Sequence, residues 1–329
     1  MLISAAVRRV LVCLVAVTLG APALGACGSA APDTKTSGGA VTIKHKYGST
    51  TIDAIPKRVV TLDPQWSDAM LALGVRPVAY AGDRLLSESG RAPWQDKLAG
   101  ATQLGVQMGK NLPMEKIAAQ RPDLIVGSYT ITSKSQYEKL SKIAPTVPSL
   151  DDRQVERWTD VTRTAGRLLH DAAGAERVIA GVNDRVAAAR AKLPGLTGKT
   201  FALAQYIVGD SLVAVADPAD GSTVFFRQLG MKQLPSLVAE GKKTNQPRVQ
   251  VSTERLDLLR SDVLFFLVNG GTKADLQDLP GWGNLPAVKA GNDALLDYAT
   301  ATALNTPTPL SVPAALARLM PVLKDAARA

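Results

Sequence analysis

Cysteine and histidine are nearly absent from this chain, with two of each in 329 residues. That inventory excludes a disulfide scaffold, a cysteine-rich zinc module and a multi-histidine metal cluster. Aromatic residues are also scarce, at 5%. There is no G-x-S-x-G and no H-E-x-x-H, and neither histidine has an evident nucleophile to serve, so nothing points to an enzyme. No apolar run reaches the roughly 20 residues needed to span a bilayer. What the chain does have is a hydrophobic content of 46% and 38 Lys and Arg against 29 Asp and Glu, a formal charge of +9. A basic balance suits nucleic acid, an anionic surface or an anionic ligand, and composition does not choose among them.

The N-terminus narrows the choice. Arg8 and Arg9 precede an apolar run of eleven residues, Val10 to Gly20, followed by small residues ending in Leu24-Gly25-Ala26-Cys27. This pattern predicts a signal peptide over residues 1–26. Leu-Gly-Ala-Cys resembles a bacterial lipobox, which implies cleavage before Cys27 and a diacylglycerol on its sulfur. Two acyl chains anchor a soluble domain firmly. Residues 27–40 then read as a small, polar, flexible tether at the extracytoplasmic face of the membrane. Loss of the leader removes Cys13 and lowers the formal charge to +7. Export argues against nucleic acid as a partner.

The body of the chain contains an internal echo. Glu115 to Ile125 (EKIAAQRPDLI) and Glu254 to Leu264 (ERLDLLRSDVL) share a spacing that predicts an amphipathic helix, a turn at Arg-x-Asp and a buried strand. Upstream, Leu73-Gly74 and Leu229-Gly230 each predict a helix end at a glycine. Earlier still, RVVTL (58–62) and TFALA (200–204) read as strands. The expected fold class is α/β, with two related lobes, each with a mainly parallel central sheet, at 41–170 and 195–329. Asp151 to His170 reads as one helix. A second, over 171–194, bridges the lobes, leaving the ligand cleft between them. Pro313 to Ala327 reads as a terminal helix.

This organisation resembles the substrate-binding proteins of ABC importers for iron-siderophores, haem and cobalamin. PKRVVTLDPQWSDAMLALGVRPVAYAG, MEKIAAQRPDLIVGS, YEKLSKIAPTVPS and WGNLPAVKAGNDALLD resemble that family's segments, in register over residues 41 to 325. The resemblance implies a monomeric binding protein that delivers a ferric siderophore to a permease, without a resident cofactor or metal site. It also implies a surface acid on each lobe to meet the permease, yet position 68 is Asp where relatives commonly carry Glu, and Leu98 to Gln103 lacks an acid.

In open α/β sheets, ligands sit beyond the carboxyl ends of the parallel strands. Candidate contacts are the residues that follow each strand. In the first lobe these are Trp66 as a flat wall, Arg84 as an oxygen-binding cation and Tyr129 as a hydroxyl donor. In the second they are Tyr206, Ser222 at a helix N-terminus, Arg227 and Asn269. Trp282 belongs to a family scaffold segment and is expected to pack. His45 is expected on an exposed strand and His170 at a helix end. Two further readings stay open: a haem protein with Tyr129 or Tyr206 as axial ligand, with cobalamin as another ligand of the same class, and a cell-envelope interaction protein without a transport role.

Overall fold

The computed structural model describes residues 39–106, 111–153 and 155–329. The expected signal peptide, Cys27 and all but the last two tether residues lie outside the described residues.

Chain order begins with a hairpin of β1 (Val41–His45) and β2 (Gly48–Ile52), antiparallel with Val41 opposite Ile52. Ile43 and His45 face inward while Thr42 and Lys44 face out, as a half-buried strand requires. His45 is therefore not solvated as expected. Its Nε2 lies 2.9 Å from Thr50 Oγ1, and burial lowers its pKa.

The first lobe follows, with β3 (Val59–Thr61), α1 (Pro64–Ala72), β4 (Ala79–Tyr80), β5 (Thr102–Gln103), α2 (Met114–Ala119), β6 (Leu124–Val126), α3 (Lys134–Ser141) and β7 (Thr146–Val147). The strands form one wholly parallel sheet in the order β5-β4-β3-β6-β7. Parallel strands covered on both faces read as continuous apolar runs, and Leu124-Ile125-Val126 is one. Alternate residues feed two cores. Val59, Leu124 and Val126 pack with Trp66 and Met70, whereas Val60 and Ile125 pack with Ile117 and Leu140 on the other face.

Two helices lead across to the second lobe, α4 (Trp158–Leu168) and α5 (Ala172–Lys192). The expected helix from Asp151 starts only at Trp158. The preceding segment instead turns Glu156 inward, where its carboxylate accepts from Leu150 N and from Ser128 Oγ at 2.6 Å. The 21 residues of α5 span about 31 Å and bury Val182 and Val186 in the second lobe.

The second lobe contains β8 (Thr200–Ile207), β9 (Ser211–Val215), α6 (Gly221–Gln228), β10 (Lys232–Gln233), α7 (Pro235–Thr244), β11 (Arg248–Val251), β12 (Val263–Asn269), α8 (Lys273–Gln277), α9 (Pro286–Lys289), β13 (Asp293–Leu295), α10 (Tyr298–Asn305) and α11 (Ser311–Arg328). Its sheet runs β11-β9-β8-β12-β13, with β10 also on β8. β8, β10, β12 and β13 pair in parallel, while β9 runs antiparallel to both β8 and β11.

The internal echo has a structural cause. Asp123, of the first Arg-x-Asp, accepts from Lys57 N and Arg58 N at 2.7 and 2.8 Å. Asp262, of the second, accepts from Thr200 N at 2.7 Å. Each aspartate precedes one central strand and pins the start of its neighbour. Gly74 and Gly230 take φ of +81° and +93° at the ends of α1 and α6, a conformation that favours glycine. The halves differ at the β8–β9 hairpin, inserted before α6. They differ also at 253–259, which forms 3₁₀ turns with Arg255 out of helical geometry, where a helix was expected.

Candidate functional site

The loops that follow the first lobe's strands meet the second lobe around α10 and the start of α11. Three side-chain ties join them. Tyr298, first residue of α10 and just past β13, donates its hydroxyl to Asp83 Oδ2 at 2.8 Å. Gln65 Nε2 donates to the carbonyl of Pro307 at 3.1 Å and of Glu156 at 3.0 Å. Thr308 Oγ1 donates to Asp68 Oδ2 at 2.5 Å.

Asp68 is fully buried and also accepts from Trp94 Nε1 at 2.8 Å and Gln95 Nε2 at 2.6 Å. It is an internal strut between lobes, so it is not a surface acid for docking. Burial pushes its carboxyl up to about 6 against the pull of those donors.

Asp63 caps α1, accepting from Trp66 N at 3.1 Å and from Ser128 N. Burial raises it to about 6, and burial raises Glu156 to about 7. Ser128 connects the two carboxylates, and its Oγ also accepts the Trp66 indole N–H at 3.1 Å. Trp66 is thus sealed inside the first lobe at 0% exposure, and the expectation of a flat wall for the ligand is corrected. The cause is local: α1 turns back over the sheet directly after Asp63, carrying the indole into the core.

Tyr129, next to Ser128 and past the end of β6, is partly exposed. Its hydroxyl is held well above the ordinary tyrosine range by burial and then by Asp63, Asp83 and Asp68. Tyr298 is pushed up to about 12 by burial and by its bond to Asp83. Both phenols are held in the protonated form; Tyr298 donates to Asp83, and Tyr129 presents its O–H at the strand end. The same surroundings oppose the phenolate that haem ligation by Tyr129 needs.

Asp83 and Arg84 lie on a loop pinched by two glycines, with Asp83 N donating to Gly90 O at 2.9 Å. A Cβ on Gly82 would sit 2.8 Å from the Gly90 carbonyl oxygen, so only glycine permits the approach. Arg84 is exposed and has no ion pair among the described residues.

In the second lobe, Tyr206 was a candidate contact, yet it is 8% exposed and packs with Leu212 and Phe266 on one face of the sheet. Its neighbour Gln205 shares the opposite face with Leu203 and Leu267 and lines a small groove with Arg248 and Asn305. Side chains alternate along a strand, so a shift of one residue changes the face. Ser222 is fully buried, and the N-terminus of α6 is already occupied. Asp220 Oδ1 accepts from Ser222 N at 2.9 Å and from its Oγ at 2.5 Å, which leaves no anion site there. Arg227 is exposed in the last turn of α6, bonded to Pro218 O at 3.3 Å, away from that N-terminus. The cation set in this region is Arg248, paired with Asp220 at 3.1 Å and bonded to Asn305 at 3.1 Å. Asn269 ends β12 half-buried, before Gly270 at φ +76°. Trp282 packs edge-on against Phe266, as expected for scaffold. His170 is exposed just past the end of α4, in left-handed backbone at φ +55°. No group of three metal-ligating side chains occurs among the described residues.

Residues 59–298 match the periplasmic binding protein family. The chain belongs to that family. Members bind solutes without catalysis, which agrees with the lack of an enzyme motif. The chain is 30% identical over 276 residues to the probable siderophore-binding lipoprotein YfiY of Bacillus subtilis, covering 76% of this chain and 78% of the relative. A periplasmic solute binding protein from Mycobacterium smegmatis superposes with a TM-score of 0.73 at 28% identity, covering 88% of this chain and 99% of that one. SirA of Staphylococcus aureus, solved with staphyloferrin B, superposes with a TM-score of 0.71 at 26% identity, over 86% of this chain and 98% of its own. The two-lobed α/β architecture read from the sequence is the architecture of these proteins.

Tyr298 and Arg248 were missed at the sequence level. Tyr298 comes three positions after Asp293–Leu295, a strand of three residues hidden inside a segment read as scaffold. Arg248 follows a proline on an edge strand of four residues, with no strand-end signal.

Proposed function

We propose that this chain is an extracytoplasmic binding protein, anchored through a lipid on Cys27, that captures a ferric siderophore between its lobes and delivers it to the permease of an ABC importer. The observation that carries the reading is the convergence of Asp83, Tyr129 and Tyr298 from the strand ends of both lobes. It is supported by the relatives, one named as a siderophore-binding lipoprotein and another solved with a siderophore. Two neutral phenols offer donors to the oxygen atoms that wrap iron, and the exposed Arg84 adds a third. The ties at the seam and the stiff α5 support a grip with little hinge motion. The molecule acts as a monomer in this reading.

The test is a tryptophan-fluorescence titration of the mature chain, from Cys27 onward, against ferric hydroxamate, catecholate and citrate complexes. Saturable quenching by at least one member is expected. Quenching by none of them, with the melting temperature unchanged by every one, overturns the proposal.

A further inference from the structure

The chain is strongly basic, yet the first lobe's side of the seam carries four carboxylates beside the exposed Arg84. Asp83 lies at the rim, Asp63 and Asp68 lie buried near Tyr129, and Glu156 is buried against the neighbouring Ser128. Among the described residues none of these four carboxylates is paired with a Lys, Arg or His. All are satisfied by neutral donors: Tyr298 for Asp83, backbone N–H groups for Asp63, Trp94, Gln95 and Thr308 for Asp68, and Ser128 for Glu156. The groups acting on Tyr129 are the carboxylates of Asp63, Asp83 and Asp68 and the phenol of Tyr298. Across the seam, Arg248 is already neutralised by Asp220.

A chelate that accepts a hydrogen bond from Tyr298 takes the donor that now serves Asp83. The carboxylate is then left facing the chelate. An anionic chelate meets like charge there, whereas a neutral or cationic one does not, and an ammonium or N–H group on it gains an acceptor. Three hydroxamates cancel the charge of Fe(III), but catecholate and citrate complexes remain anionic.

We propose, resting on the siderophore reading above, that this cleft selects ferric chelates by charge, admitting neutral or cationic hydroxamate-type complexes over anionic ones, with Asp83 as the discriminating residue. The overall positive charge of the protein therefore does not describe its ligand.

The experiment measures dissociation constants of the mature chain for ferrichrome (neutral), ferrioxamine B (cationic), ferric dicitrate and ferric enterobactin (both anionic). The neutral or cationic complex is expected to bind at least about tenfold more tightly than either anion. Asp83→Asn keeps an acceptor for Leu85 N and is expected to raise the anionic-to-neutral affinity ratio about tenfold. Asp83→Ser serves the same purpose if the first variant melts early. An anion bound more tightly than both other complexes, or a ratio unchanged in the Asp83 variants, overturns the charge rule. So does a loss of anion binding confined to Arg84→Gln, which assigns the selection to Arg84. Absence of binding by every member overturns the siderophore reading, and the charge rule with it.

Discussion

At the scale of single residues, exposure at a strand end separates the Tyr129 hydroxyl, proposed to face the ligand, from hydroxyls that hold the fold. Tyr129 is partly exposed at a strand end, and Tyr206 is packed on the far face of its sheet. Tyr129→Phe removes the donor proposed to meet the chelate and is expected to weaken affinity by about 5- to 10-fold, the worth of one hydrogen bond. Tyr206→Phe is expected to leave affinity within twofold. Equilibrium titration of both variants with one chelate checks the contrast. Trp66 behaves as structure. Trp66→Phe keeps most of the packing but strands Ser128 Oγ without its indole donor, and it is expected to cost about 1–2 kcal/mol in urea unfolding. Much of this layer was not legible in the sequence. Trp66 and Ser222 come after strands as Tyr129 does, and Tyr206 was read as doing so although β8 runs on to Ile207; what separates them is which way the chain carries the side chain. That direction depends on α1 folding back after Asp63, on Asp220 reaching the α6 N-terminus first, and on the register of β8, none of which a spacing rule encodes.

At the scale of elements, the strands, the glycine-ended helices and the repeated Arg-x-Asp were legible because each rests on local chemistry. Apolar runs need cover on both faces, a left-handed turn favours glycine, and one aspartate suffices to pin a neighbouring strand. The buried link from α1 through Ser128 to Glu156 was not legible, because its members are far apart in sequence. It carries a pH signature. Burial raises Asp63, Asp68 and Glu156, so the folded state holds protons that the unfolded chain releases. Their stabilising effect is complete below the unfolded values near 4 and is lost as pH rises through about 6 to 7. For Glu156 this amounts to about 3 kcal/mol across that window. Glu156→Gln keeps the size and an acceptor for Leu150 N. Thermal melts from pH 5 to 8 are expected to show a shallower fall in melting temperature for this variant than for the parent chain. Equal slopes exclude the proposed role of Glu156.

At the scale of the whole molecule, two lobes meet at a seam of side-chain hydrogen bonds, with α5 spanning between them. Asp68 is the most connected of these ties. Asp68→Ala leaves the Trp94, Gln95 and Thr308 donors without their acceptor and is expected to cost about 3 kcal/mol or more, read as a lower urea midpoint. The two-lobed plan was legible from the internal echo, whereas the strut was hidden because its partners lie 26 to 240 positions away. The central claim is that a ferric siderophore sits where the strand ends of both lobes converge. Isothermal titration of the tightest-binding chelate into the parent chain and into a Tyr129→Phe/Tyr298→Phe double variant tests it most directly. The account predicts one site per chain, with affinity reduced at least about thirtyfold in the double variant while its melting temperature stays within a few degrees. Unchanged affinity in a folded double variant would contradict it.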